Sequence, residues 1–258
     1  MKNNFSKITA ISFSVWKESV RNKGLFTLIF VFLLILLSSH IISAAASINS
    51  DRILQTMGLF VFGMFGILTN IYLGTSLIQE ISEKRLYIIL VRPISRTSLL
   101  LGKFSGTCLV LLSVFFAASG VWLFILYINQ VPITLLHFLT LFFLLGEWII
   151  LASASLFFAV FTTPLLHGLF LFAFAFFGHY SKDLILYSTA HSNIFIKKTL
   201  LCLYYFIPNL ELINFKGAML YNEAISLGNI ASGFLLVVLW TLILFTGSGI
   251  VFSKIKLL

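Results

Sequence analysis

The chain has 258 residues, of which 60% are hydrophobic and only 10% charged, with 29 phenylalanines among them. A soluble globule carries about 25% charged residues, so this composition has too little polar surface to coat one and requires a bilayer. The formal charge of +9 would point to nucleic acid in a soluble protein, but here the positions of the basic residues matter more than their sum, and no nucleic-acid partner is expected.

The chain opens with a basic region in which residues 8–22 mix Ile8, Ile11, Phe13, Val15 and Trp16 with Lys17 and Glu18. That pattern predicts a helix lying on the inner membrane face. Crossing about 30 Å of hydrocarbon at 1.5 Å per residue takes about 20 apolar residues, and six spans are predicted, at 25–42, 53–78, 104–128, 135–161, 165–178 and 230–252. After the first span, Ser43-Ala44-Ala45-Ala46-Ser47 imitates a signal-peptide cleavage site. The basic region and apolar run before it, roughly twenty and eighteen residues, are too long for a signal peptide, and no cleavage is expected.

Between the second and third spans lies the densest charge in the chain. Residues 79–103 carry Glu80, Glu83, Lys84, Arg85, Arg92, Arg96 and Lys103, with Pro93 at a turn and Gly102 where the chain re-enters the membrane. Glu80 and Lys84 stand four apart, as a helical pair would, and Pro93 should stop that helix. Arg92 and Arg96 are then available to carboxylates on a partner, or to anionic lipid head groups.

Further along, Glu147 falls near the middle of the fourth span, where a carboxylate is costly unless paired, protonated or facing water. It is either a proton or substrate contact or a hydrogen-bonded tie between helices. The small residues Ala152, Ser153, Ala154 and Ser155 favour close helix approach. Thr163 and Pro164 are placed to cap and start a helix, which makes spans four and five an antiparallel hairpin. The fifth span is short and allows a partly re-entrant path.

Residues 180–229 form the one sizeable hydrophilic region, with a helix predicted over 194–206, ended by Pro208 and capping the bundle from outside. His40, His137, His179 and His191 lack metal-ligand spacing and read as interfacial or capping residues, so no metal is assigned. Cys108 and Cys202 read as packing residues.

Orientation follows from the rule that Lys and Arg near span ends stay cytoplasmic. With the N-terminus inside, that side collects Lys2, Lys7, Lys17, Arg21, Lys23, Lys84, Arg85, Arg92, Arg96, Lys103, Lys254 and Lys256. An all-α, polytopic fold of six transmembrane helices results, a single domain over 1–258 with both termini cytoplasmic.

Several patches together carry a family likeness: the charged loop, Arg92-Pro93-Ile94-Ser95-Arg96, Leu101-Gly102-Lys103, Phe161-Thr162-Thr163-Pro164, Gly178-His179 and the stretch from Leu203 to Leu210. In this order they resemble the type-2 exporter class of ATP-binding-cassette (ABC) transporter permeases, in the multicopper-enzyme-maturation-type subgroup. The resemblance implies a permease of the cytoplasmic (inner) membrane that pairs with itself or a sister chain and with two cytosolic ATPase subunits. Residues 79–103 would be its ATPase-coupling element. ATP and Mg would be bound by the ATPase, and the chain itself would bind no cofactor.

That division of labour fits the motifs, since the sequence has no phosphate-cradling Gly-x-x-x-x-Gly-Lys-Ser/Thr loop, no His-Glu-x-x-His pair and no Gly-x-Ser-x-Gly elbow. The expected function is export of a lipophilic or amphipathic substrate, and the chain itself is not expected to be an enzyme. The alternatives are a non-transporting scaffold or mechanical transmitter driven by a cytosolic ATPase, and an intramembrane enzyme built on Glu147 with His137 or His167.

Overall fold

The computed structural model describes residues 2–45, 49–83, 95–190 and 193–254. Among these residues the fold is all helical: α1 (Lys2–Arg21), α2 (Lys23–Ala45), α3 (Ser50–Ser82), α4 (Arg96–Ile128), α5 (Leu135–Ala159), α6 (Pro164–His179), α7 (Ser181–Ala190), α8 (Ile194–Phe206), a 3-10 turn at Leu210–Ile213, α9 (Lys216–Tyr221) and α10 (Leu227–Lys254). Five of these helices, α2, α3, α4, α5 and α10, are long and apolar enough to cross a membrane. The pair α6 and α7, bent by 71° at its junction, passes the same test only when taken together, as a broken span or a re-entrant loop, which gives five or six spans. This is the architecture of a multi-pass membrane protein.

The centre belongs to α3 and α5, the most buried of the long helices, while α2 and α10 leave most of their apolar surface outward. Trp148 of α5 is fully buried, with its ring centroid 5.0 Å from Phe115 of α4 and 5.8 Å from Phe65 of α3. Trp122 of α4 enters the same cluster through Phe62. Both indoles need glycines opposite them. A Cβ at Gly66 would overlap the Trp148 ring, and one at Gly58 would overlap Trp122. Small residues let membrane helices approach closely, and here they make room for the two largest side chains of the core.

A second, polar seam ties α3, α5 and α6. The amide of Asn70 donates to the carbonyls of Gly66 at 2.9 Å and Trp148 at 3.3 Å, and the Ser155 hydroxyl donates to the Asn70 carbonyl at 2.8 Å. His167 Nε2 lies 3.1 Å from Ser155 Oγ. All three side chains are buried, so these bonds carry weight that a surface bond would not.

Several expectations change in detail. The predicted fifth span corresponds to α6, whose 16 residues reach only about 24 Å. Thr163 holds the cap position of α6 without a side-chain bond, and its carbonyl instead accepts from the His167 N–H at 2.8 Å. Pro164 at the first helical position has no N–H to satisfy, so the cap matters less.

The predicted helix over 194–206 is α8, with Asn193 accepting from the Phe195 N–H at its start. It does not cap the bundle, however. None of its residues is buried, and its extensive contact is with α7 alone. Leu210 and Ile213 of the 3-10 turn and Met219 of α9 close that end of the bundle instead, because they carry the apolar side chains that α8 turns outward. Cys202 is exposed on α8 rather than packed, and Cys108 is half-buried.

Candidate functional site

Two regions collect polar chemistry, one at each end of the bundle. At the first end, α3 stops at Ser82 and α4 begins after Ser95, whose side chain accepts from the Ser98 N–H at 3.1 Å. Lys84, Arg85, Arg92 and Pro93 of the expected coupling loop lie outside the described residues, as do the Glu80–Lys84 pairing and the Pro93 stop. Glu80 instead forms an ion pair with Lys103, joining the last turns of α3 to the first turns of α4. Both side chains are largely buried, at 17% and 11% exposure, so this pair closes the base of the loop and is not presented to a partner. Glu83 follows it at the surface.

Arg96 departs from expectation. Its guanidinium donates to the carbonyls of Ser253 at 2.9 Å and Phe252 at 3.4 Å, on the last turn of α10. The final carbonyls of a helix have no partner within the helix, and a cation there also meets the negative end of the helix dipole. The arginine is therefore used within the chain.

Gly102 and Gly106 likewise serve packing. A Cβ at Gly102 would stand 2.7 Å from Ile11, and one at Gly106 would stand 2.6 Å from Val15. In this notch α1 lies along α4, fixed by the Ser12–Ser105 hydroxyl contact at 2.5 Å and by Trp16 Nε1 donating to Ser113 Oγ at 3.0 Å. The expected helix on the membrane face is thus docked on the bundle itself.

Exchanging the charges tests the closed base. Lys103→Glu alone should weaken detergent-solubilised stability, by about 1–3 kcal/mol for a partly buried pair with one member reversed. Adding Glu80→Lys should restore at least half of that loss, read as the midpoint of thermal unfolding.

At the opposite end, α3, α6, the start of α7 and the segment around the 3-10 turn border an open cavity of about 600 Å³. Its lining includes apolar side chains, Phe60, Met64, Phe172 and Phe176. It also includes His179, Lys182, Asp183, Glu211 and Lys216. Behind His179 stands Glu147, 3% exposed, with its carboxylate 3.0 Å from His179 Nε2. Its partner is thus neither His137 nor His167, as an intramembrane enzyme would need. His137 accepts from the Thr134 N–H at 3.1 Å as part of a capping box, and His167 is bound to Ser155. Glu147 ties the middle of α5 to the end of α6.

The His179 pairing joins residues 32 apart in the chain, and Lys216 reaches the cavity from a separate short helix. Neither has a local spacing that a sequence motif would flag. The one available signal is an isolated carboxylate in one apolar run and an imidazole closing the next.

No protein-family model matches this chain, and no curated protein matches it.

Proposed function

We propose that this chain is the permease subunit of an ATP-driven exporter of the ATP-binding-cassette class, worked by two cytosolic ATPase subunits that bind ATP and Mg. One observation supports this reading most: the base of the α3–α4 loop is fastened to four helices at once. Glu80–Lys103 joins α3 to α4, Arg96 holds the end of α10, and α1 lies in the Gly102–Gly106 notch. A load applied to the intervening residues is then delivered to α1, α3, α4 and α10 together, as a coupling element requires.

The basic-residue distribution supports a reading in which this end and both termini face the cytoplasm, with the chain held in the inner membrane. The outward apolar faces of α2 and α10 give a second permease chain, identical or sister, somewhere to pack against. Since Arg96, Glu80, Gly102 and Lys103 are used internally, the reading assigns the ATPase contact to Lys84, Arg85, Arg92 and Pro93.

The experiment is reconstitution with the ABC ATPase that this reading expects in a neighbouring reading frame. Arg85→Glu with Arg92→Glu should lower ATPase attachment and vesicle-borne ATP hydrolysis at least tenfold. Unchanged attachment and hydrolysis would overturn the reading.

A second reading, a mechanical transmitter acting on something outside the membrane, draws on the exposed α7–α8 hairpin, where Phe195, Tyr205 and Phe206 are all more than three-quarters exposed. ATP-dependent movement of an amphipathic compound across the vesicle wall separates the two, since a transmitter hydrolyses ATP without moving it.

A further inference from the structure

In the cavity beside His179 most of the charged side chains already have a close partner or water. Glu147 is engaged by His179 at 3.0 Å. Glu211 accepts from the Asn214 amide at 2.9 Å and has Lys182 at 3.9 Å. Asp183 is exposed on the rim, where water solvates it.

Lys216 is different. Its side chain is half-buried and its ammonium lies against the backbone of α3, where a Cβ added at Gly63 would stand 3.4 Å away. Yet among the described residues no carboxylate lies within ion-pair distance of it, and no acceptor within hydrogen-bond distance. The ammonium therefore has hydrogen-bonding capacity left for the cavity it lines, and an anion placed there would make a charge-assisted bond with it.

Phe60, Met64, Phe172 and Phe176 line the same cavity, 39–62% exposed side chains that offer an apolar body a surface. Ligand sites of this kind are mostly apolar, with a few placed polar groups that fix orientation.

We propose that this cavity binds an amphipathic anion, with its phosphate or carboxylate head on Lys216 and its apolar tail along Phe60, Met64, Phe172 and Phe176. The proposal deepens the exporter reading by naming the class of molecule carried. It is tested by binding to the chain alone, so it stands or falls separately from any ATPase.

The test titrates the purified chain in neutral detergent with a fluorophore-labelled phosphatidic acid. A trimethylammonium lipid with the same tails is the comparison, and inorganic phosphate is the competitor. The anionic lipid should bind at least tenfold more tightly than the cationic one. Lys216→Gln should weaken it at least tenfold, Lys216→Arg should retain it within about threefold, and Gly63→Leu should remove it by filling the space. Lys198→Gln, on the exposed α8, should change nothing.

Inorganic phosphate should not compete at concentrations comparable to the lipid. If it does, the apolar half of the proposal fails and a free-anion site takes its place. Equal binding by Lys216→Gln, or preference for the cationic lipid, overturns the proposal outright. So does a change in oligomeric state on Lys216→Gln with lipid binding unaltered, which would make the cavity wall an interface between copies.

Discussion

Replacing His179 with alanine is expected to destabilise the protein by about 3 kcal/mol, the lower end of what removing one member of a buried ion pair costs. The low end applies because the His179 side chain keeps 24% of its exposure while Glu147 keeps 4%. The loss is large because the carboxylate that remains is buried and, among the described residues, has no other hydrogen-bond partner.

Glu147→Gln should be much milder, at about 1 kcal/mol, because the amide oxygen still accepts from the imidazole N–H. The double substitution of Glu147→Gln with His179→Ala should lose less than the sum of the two, since both act on one contact. Thermal unfolding in detergent measures all three. The same Glu147→Gln protein also decides between the two meanings of an acid in this position. Full transport with near-normal stability makes it a helix tie, whereas lost transport with intact folding makes it a proton or substrate contact.

The second large effect concerns Gly66. Gly66→Leu should abolish accumulation of folded protein, because even the first carbon of the new side chain would occupy space held by the Trp148 indole. Trp148 has nowhere to go: it is fully buried, with Phe62, Phe65 and Phe115 against it. Overpacking a core costs about 1–3 kcal/mol and sometimes more, and Gly66→Ala should fall at the upper end of that range. Pairing Gly66→Ala with Trp148→Leu should recover at least half of that loss relative to Trp148→Leu alone, because the two changes share one volume. Size-exclusion profiles and unfolding midpoints of the four proteins provide the check. Additive losses would mean that the indole is free to rotate away.

The long spans are legible in the sequence because the bilayer imposes a length. Runs of about 20 apolar residues leave few other readings, and α2, α3, α4, α5 and α10 stand where such runs stand. Asn193 and Pro208 likewise bracket α8 through local rules of capping and ring geometry.

What could not be read is which polar residues meet. Arg96 binds carbonyls 156 and 157 positions away, and Glu80 bonds Lys103 across the loop. A charge-dense loop looks the same in sequence whether its residues are offered outward or consumed at its base. Glycines in a membrane helix are equally mute. Gly58 and Gly66 face indoles while Gly120 faces nothing, and no spacing in the chain distinguishes them. For the candidate site, Glu147 was visible as an anomaly, but its partner and the half-buried Lys216 emerge only when α6 and α9 are brought beside α3.

The brevity of α6 has a consequence for the lipid around it. A 16-residue helix covers about 24 Å, some 6 Å less than a typical hydrocarbon layer, before the chain turns aside at Tyr180. Local thinning of the bilayer is one way such a deficit is accommodated, snorkelling of flanking side chains another. A leaflet thinned beside this helix would bring head groups toward His179, and an amphiphile within it would reach the cavity by sliding sideways rather than by first leaving for water.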